Sequence, residues 1–525
     1  MREALVEPME LNRRAAGVLL HPTSLPGPHG IGDLGPGAAH FVDWLARAGQ
    51  RWWQWLPTTP IGPGDSPYQS VSAFAGSPLM VALEPLAARG WLASGALTAP
   101  PDGGFDRLRV DFDRVVPWRM ARLREAFDGF RARADAVDRA ACDAHAAAEA
   151  GWLDDYALFM ALAAAHAGRP WWRWPRALAA REPGAIERAR REHAAEIAFW
   201  RWVQWCFDVQ CDALRAYARE RGVAIMGDLP IFVAHHGADC WARPDLYALD
   251  ADFQPTVVAG APPDTLGPDG QRWGNPMYRW DRMAAEGWAW WTARLRRMLR
   301  HADAVRIDHF RGFAAYWEIP ADAPDARRGR WRPGPGRALF DAASAALGPL
   351  PIVAEDLGFI TPDVHALREA LGYPGMKVLQ YAFGGDATHE YLPHNFEPRT
   401  AVYTGTHDTD TIVGWWRAAS EPERRFAATY LACGDADLHW AAIRAAYESV
   451  AALAMVPMQD LLGLGSEHRM NTPGTLGPPN WGWRFDWDMV GPEPARVLAL
   501  LAAASGRGPF DPIGPPRPPQ PPASY

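Results

Sequence analysis

Eight short apolar runs, spread over the whole chain, constrain this sequence more than any other feature. They lie at residues 17–20, 53–56, 223–226, 304–307, 352–354, 377–381, 401–404 and 455–458. Buried parallel strands read as continuous apolar runs, and a closed (β/α)8 barrel needs eight of them. The expected fold class is therefore α/β, a (β/α)8 TIM barrel with inserted, partly helical subdomains. Several runs end abruptly in polar residues: His21-Pro22-Thr23-Ser24, Asp228-Leu229-Pro230, Asp308, Glu355, His407-Asp408 and Gln459-Asp460. Barrel strands deliver such residues to the C-terminal face, where barrel enzymes keep their chemistry.

The spacing of the runs sets the expected organisation. Residues 1–83 start the barrel with its first two strands. Residues 84–215, rich in Ala, Arg and Glu at helical spacing, read as a mostly helical insertion. The rest of the barrel occupies 216–505. It includes a loop subdomain at 241–280, dense in Pro, Gly, Asp and Trp, which reads as an ordered functional loop. Residues 506–525 read as a Pro-rich disordered tail.

Charge and cysteine content exclude several classes. Lys and Arg number 53 against 61 Asp and Glu, a net charge of −8, which argues against nucleic acid as a partner. Five cysteines without a Cys-x-x-Cys pair form neither a disulfide framework nor a zinc site. The first residues are charged and lack an apolar signal segment, and no apolar run is long enough to span a membrane. A cytoplasmic protein, a monomer or weak homo-oligomer without a membrane partner, is expected. Lys377 is the lone lysine, and its surroundings are no phosphate-binding loop, so lysine-dependent cofactor chemistry is not expected. The 27 tryptophans offer flat faces that suit sugar rings, although most are expected to fill cores.

Three of the strand ends carry carboxylates: Asp308, Glu355 and Asp408. Two carboxylates flanking a glycosidic bond are the usual means of breaking it through an oxocarbenium-like transition state. Arg306 lies two residues before Asp308, so both point to one side of a strand, where the guanidinium favours an ionised nucleophile. The acid must keep its proton near neutrality, which burial or a nearby anion achieves. Glu355 is placed for that role, Asp408 for gripping sugar hydroxyls, and His407 as its neutral hydrogen-bond partner. Each motif alone has a structural reading: an ion pair, a helix cap or an ordinary turn.

The wording of the motifs closely resembles the 4-alpha-glucanotransferases, the amylomaltases or disproportionating enzymes of the α-amylase superfamily. The resemblance rests on Leu19-Leu20-His21-Pro22-Thr23-Ser24-Leu25-Pro26-Gly27, Gly30-Ile31-Gly32-Asp33-Leu34-Gly35 and Ser66-Pro67-Tyr68-Gln69-Ser70. It extends through Gly227-Asp228-Leu229-Pro230-Ile231, Gly270-Gln271-Arg272-Trp273-Gly274-Asn275-Pro276, Pro374-Gly375-Met376-Lys377-Val378-Leu379-Gln380 and Arg469-Met470-Asn471. It implies a retaining double displacement with Asp308 as nucleophile, Glu355 as acid/base and Asp408 as transition-state stabiliser. It further implies that Arg306 orients Asp308, that His407 and Asp228 bind the sugar, that Tyr68 stacks on it, and that Trp273 lines the groove. The implied partners are maltooligosaccharides and α-1,4-glucans, and no metal or organic cofactor is implied. Two departures stand out. Thr409 replaces the Asn that commonly follows His-Asp, and Pro262-Pro263-Asp264-Thr265-Leu266 lacks the Tyr-Phe pair common in that loop. The second departure implies weaker cyclisation of long glucans. An α-1,4-glucan hydrolase of the same superfamily and an inactive glucan-binding protein are the alternatives at this point.

Overall fold

The computed structural model describes residues 11–98, 100, 103–263 and 269–508. The departure at Thr265 and Leu266, and all of the Pro-rich tail beyond residue 508, lie outside the described residues. Among the described residues there are twelve strands: β1 (Ala15–Leu19), β2 (Trp52–Gln54), β3 (Ala224–Leu229), β4 (Val257–Ala261), β5 (Gln271–Pro276), β6 (Ala304–Ile307), β7 (Ala315–Pro320), β8 (Arg330–Pro333), β9 (Ile352–Ala354), β10 (Gly375–Val378), β11 (Thr400–Tyr403) and β12 (Leu453–Pro457).

Eight of these close into a parallel barrel in the order β1-β2-β3-β6-β9-β10-β11-β12. Each of the eight apolar runs falls on one barrel strand. The sixth run is displaced: the strand is Gly375–Val378, and Leu379–Tyr381 forms a 3-10 turn. The strand can start at Gly375 because that residue has no side chain; a Cβ there would lie 2.5 Å from the Asp356 carboxylate. That carboxylate instead accepts the Met376 N–H at 2.7 Å.

Trp52, Ala224, Met226, Ala304, Val353, Met376, Tyr403 and Met455 pack inside the barrel. Alternation along each strand carries this apolar column upward into polar side chains. Met226 is followed two residues on by Asp228, Ala304 by Arg306, and Val353 by Glu355. Gly17 makes room for the widest of the core residues, since a Cβ there would collide with Trp52 at 2.5 Å.

The insertion after β2 is helical, with Phe112–Arg133, Ala136–Ala148, Ala150–Ala165 and Pro183–Glu192 as its larger helices. A 27-residue helix, Ala194–Glu220, then runs through residue 215 and packs on helix Pro36–Arg47 and on β3. The same helix thus belongs both to the insertion and to the barrel wall.

The stretch at 241–280, read from the sequence as an ordered functional loop, contains β4 and β5. These join β7 and β8 in an antiparallel sheet of order β5-β4-β7-β8. Its two halves come from the segments following β3 and β6, so the sheet stands over the C-terminal rim. Lys377 points away from the barrel interior; its ammonium pairs with Glu390 and sits 4.6 Å over the Tyr391 ring. Among the described residues no helix is long and apolar enough to cross a membrane.

Candidate active site

The rim collects side chains from the ends of β3, β6, β9 and β11, from within β5 and from two loops. Arg306 is the hub, and it is almost fully buried. Its Nη1 donates to both Asp228 oxygens, at 2.9 and 2.7 Å, and lies 3.0 Å from Asp308 Oδ1. A fully buried carboxylate paired in this way fixes the guanidinium, and the guanidinium in turn fixes Asp308. Asp308 itself keeps about a quarter of its side chain, 26%, open to the cleft. The alternation argument from Arg306 to Asp308 is met, and Asp228 joins them from β3.

Tyr68 occupies the short turn Pro67–Gln69, which Ser66 caps by accepting the Tyr68 N–H at 3.2 Å. The Tyr68 hydroxyl donates to Asp228 Oδ2 at 2.8 Å. Its ring lies parallel to His407, with centroids 5.0 Å apart and planes 12° apart. Trp481 backs both rings at 5.6 and 6.1 Å. A cluster of three rings, two stacked and the third tilted against them, therefore stands beside the Arg306 hub.

Glu355 follows β9 and is buried. Its two oxygens accept the backbone N–H groups of His309, at 2.6 Å, and Leu357, at 2.9 Å. Burial, helped by the charge of Asp308, pushes its pKa up to about 7 against the opposing pull of Arg306 and the two N–H groups. His309 reaches Glu355 through a left-handed backbone, φ 52° and ψ 47°. For a residue other than glycine that conformation costs about 1–3 kcal/mol and persists only where the surroundings hold it. The His309 ring meets Trp273 of β5 edge-on at 4.8 Å, which brings Trp273 to the cleft wall.

Asp408 is held differently. Asn471 Nδ2 donates to its Oδ1 at 2.6 Å, His407 Nε2 lies 3.2 Å from its Oδ2, and Arg469 donates to its backbone carbonyl at 2.9 Å. Partial burial disfavours the charged form, but His407 and Asn471 outweigh that effect. Its pKa falls below the usual carboxylate range. The partner shift is reciprocal: burial disfavours a charged His407, yet Asp408 raises its pKa above the ordinary value. His407 is thus a more basic partner than the neutral one expected from sequence. Burial lifts Asp228 to about 6 against the pull of Arg306, which leaves it ionised at neutral pH.

All eight residues singled out from the sequence, Tyr68, Asp228, Trp273, Arg306, Asp308, Glu355, His407 and Asp408, therefore meet in one cleft. Asn471, Arg469, Trp481 and His309 were missed as members of it. Arg469-Met470-Asn471 stood out as a motif without a role, whereas nothing local marks Trp481 among 27 tryptophans. Thr409, the departure from the usual Asn, accepts the Thr406 N–H at 2.9 Å and closes the turn that presents Asp408.

Among the described residues one cluster has metal-ligand spacing: His29, Asp33 and Glu84, with ligand atoms within 4.8 Å of one another. Arg119 Nη2 lies 3.0 Å from Asp33 and sets a fixed positive charge against a cation there.

A profile of the family described as 4-alpha-glucanotransferase matches residues 20–489. The chain is 49% identical over 507 residues to a 4-alpha-glucanotransferase of Thermus thermophilus, covering 95% of this chain and 100% of that protein. It is 45% identical to one from Synechocystis, over 95% of this chain and 99% of the relative. Among solved structures, the amylomaltase of Streptococcus agalactiae in complex with acarbose superposes with a TM-score of 0.90 at 35% identity, covering 95% of this chain and all of that one. The residues matched by the family, 20–489, take in the insertion and every rim residue named above. The chain belongs to the 4-alpha-glucanotransferases, and it is an enzyme of that family.

Proposed function

We propose that the cleft transfers segments of α-1,4-glucans and maltooligosaccharides, with Asp308 as nucleophile, Glu355 as acid/base and Asp408 as transition-state stabiliser. The observation that carries this reading is the contrast between the carboxylates: Glu355 is buried and held near neutrality, whereas Asp308 is open and fixed by Arg306. In the first step Asp308 attacks the anomeric carbon and Glu355 gives its proton to the departing glycosidic oxygen. The bond to the leaving chain breaks, and a glycosyl ester to Asp308 forms. In the second step Glu355, now a carboxylate, takes the proton of the acceptor 4-hydroxyl. That oxygen displaces Asp308, so the configuration is retained over two inversions.

The remaining residues position the sugar. Tyr68 stacks on the ring in the cleaved position, and Asp228 and His407 accept or donate to its hydroxyls. Arg306 orients Asp308 through the ion pairs described above. Trp273 lines the groove on the far side of His309. Asp408 grips hydroxyls more tightly as the ring flattens, and its low pKa keeps it an acceptor throughout. All of these groups come from one chain, which supports a working monomer. Five free cysteines, four of them buried, fit a reducing, cytoplasmic compartment.

The test follows maltotriose as the only substrate. Glucose and longer maltooligosaccharides appearing together, at constant total reducing ends, is the expected result. Rising reducing ends would mean that water is the main acceptor and would overturn the transferase reading.

A further inference from the structure

Phe359 leaves 63% of its surface exposed, although a phenyl ring has every reason to be covered. It lies four residues beyond Glu355 on the same loop. Its ring stacks on Trp331 of β8, with centroids 6.4 Å apart and planes 22° apart. Trp331 is braced edge-on by Trp317 at 5.1 Å. The Arg311 guanidinium lies over the Trp331 ring at 3.7 Å. Arg311 Nη1 also donates to the Phe359 carbonyl, and its Nη2 donates to Thr361 Oγ1 at 3.3 Å.

Arg311 is itself buried and sits three residues beyond Asp308. One side chain therefore ties the loop after the nucleophile to the loop after the acid and clamps an aromatic pair between them. The pair continues a line of rings around the rim, from Trp273 to His309 and through Arg311 to Trp331 and Phe359. It stands on the loop of the acid, and the acid marks the side from which the leaving chain departs and the acceptor arrives. Four residues of extended chain reach at most about 14 Å, which keeps the platform within reach of a chain bound on that side.

Resting on the transferase reading above, we infer that Phe359 and Trp331 form an acceptor-side platform for the second and later glucose units of an incoming α-1,4-glucan. An aromatic face receives the C–H face of a pyranose, and the Arg311 clamp holds the platform rigid, so little entropy is lost on binding.

The test compares acceptors on the wild-type enzyme and on Phe359→Ala, Trp331→Ala and Phe359→Trp. With donor held saturating, the KM for maltotriose and longer acceptors should rise about three- to tenfold in the two alanine variants. The KM for glucose as acceptor and the kcat should stay within about twofold, and Phe359→Trp should restore tight long-acceptor binding. Phe359 is exposed, so its removal leaves the fold intact, which a melting curve verifies. An unchanged KM for every acceptor overturns the inference. So does an equal loss for glucose and long acceptors, which marks general damage. A wild-type enzyme that releases glucose only to water fails the functional reading itself and is recognised before any variant is made.

Discussion

Glu355 and Asp408 are both strand-end carboxylates in one cleft, yet their surroundings push them in opposite directions. Glu355 has Arg306 and two backbone N–H donors to set against burial and the charge of Asp308, and its pKa still rises to about 7. Asp408 has Asn471 and the His407 ring, and its pKa falls. For Glu355 the folded pKa lies above the unfolded one. Its contribution to stability is complete below about pH 4.5 and is lost as the pH climbs through 7. Glu355→Gln should therefore abolish turnover, and wild type should lose about 1–3 kcal/mol of stability relative to that variant between pH 4 and pH 8. Paired denaturation curves at the two pH values check this. By the same sign, kcat/KM for donor cleavage should decline as the pH rises past about 7, because the free enzyme then loses its acid. Asn471→Ala should leave the melting point nearly unchanged but remove a charge-assisted hydrogen bond from Asp408. A loss of about 10- to 100-fold in kcat/KM on maltotriose is expected.

At the scale of elements, what the sequence disclosed depended on burial from both sides. The eight barrel strands are enclosed by core and helices, so their apolar runs are unbroken and their ends are sharp. Two strands of the antiparallel sheet, β5 and β8, gave no such signal. β5 opens with the exposed Gln271 and Arg272, and β8 reads Arg-Trp-Arg-Pro, because one face of each meets water. Asp308 and Glu355 were legible because they directly follow buried strands, and Asp408 because it lies in the turn just beyond one. Asn471 and Trp481 lie in loops brought in from far along the chain, and only the fold reveals their partners. Arg507 was illegible for a similar reason. It belongs to the stretch read as a disordered tail, yet it is buried at 1% exposure. Its guanidinium donates to the carbonyls of Ala15, Ala446, Tyr447, Ser449, Ala451 and Ala452. These lie at the starts of β1 and β12 and at the end of helix Leu438–Glu448, so one side chain seals the N-terminal face of the barrel. Burial without a carboxylate partner lowers its pKa to about 9. Arg507→Met should cost about 3 kcal/mol of stability, read from thermal melts. Kinetics on maltotriose at 25 °C should be unchanged, since that face carries stability rather than chemistry.

At the scale of the whole molecule, the insertion is joined to the barrel by a buried charge cluster rather than by apolar contact alone. Asp208, on helix Ala194–Glu220, has no exposed surface. It meets Arg297 at 2.6 and 2.7 Å, His145 at 2.8 Å, His301 at 3.0 Å and Arg300 at 3.1 Å. Helices Ala136–Ala148 and Ala289–His301 thus share one anion across the insertion–barrel boundary. Arg297 reaches further: its Nε donates to the Phe74 carbonyl at 2.9 Å, in the segment that leads back to Tyr68. Asp208→Ala would strand a buried guanidinium and two buried rings, and a loss of about 3–5 kcal/mol is expected. Replacing both partners, Asp208→Leu with Arg297→Met, removes the stranded charge and should recover much of that loss. The double variant nevertheless gives up the Phe74 anchor. Its KM for maltotriose should rise through loosening of Tyr68 even where its melting point recovers. Melting and kinetics measured on the same variants separate the two roles: the ion cluster holds the insertion on, and Arg297 carries that attachment through Phe74 to the segment that bears Tyr68.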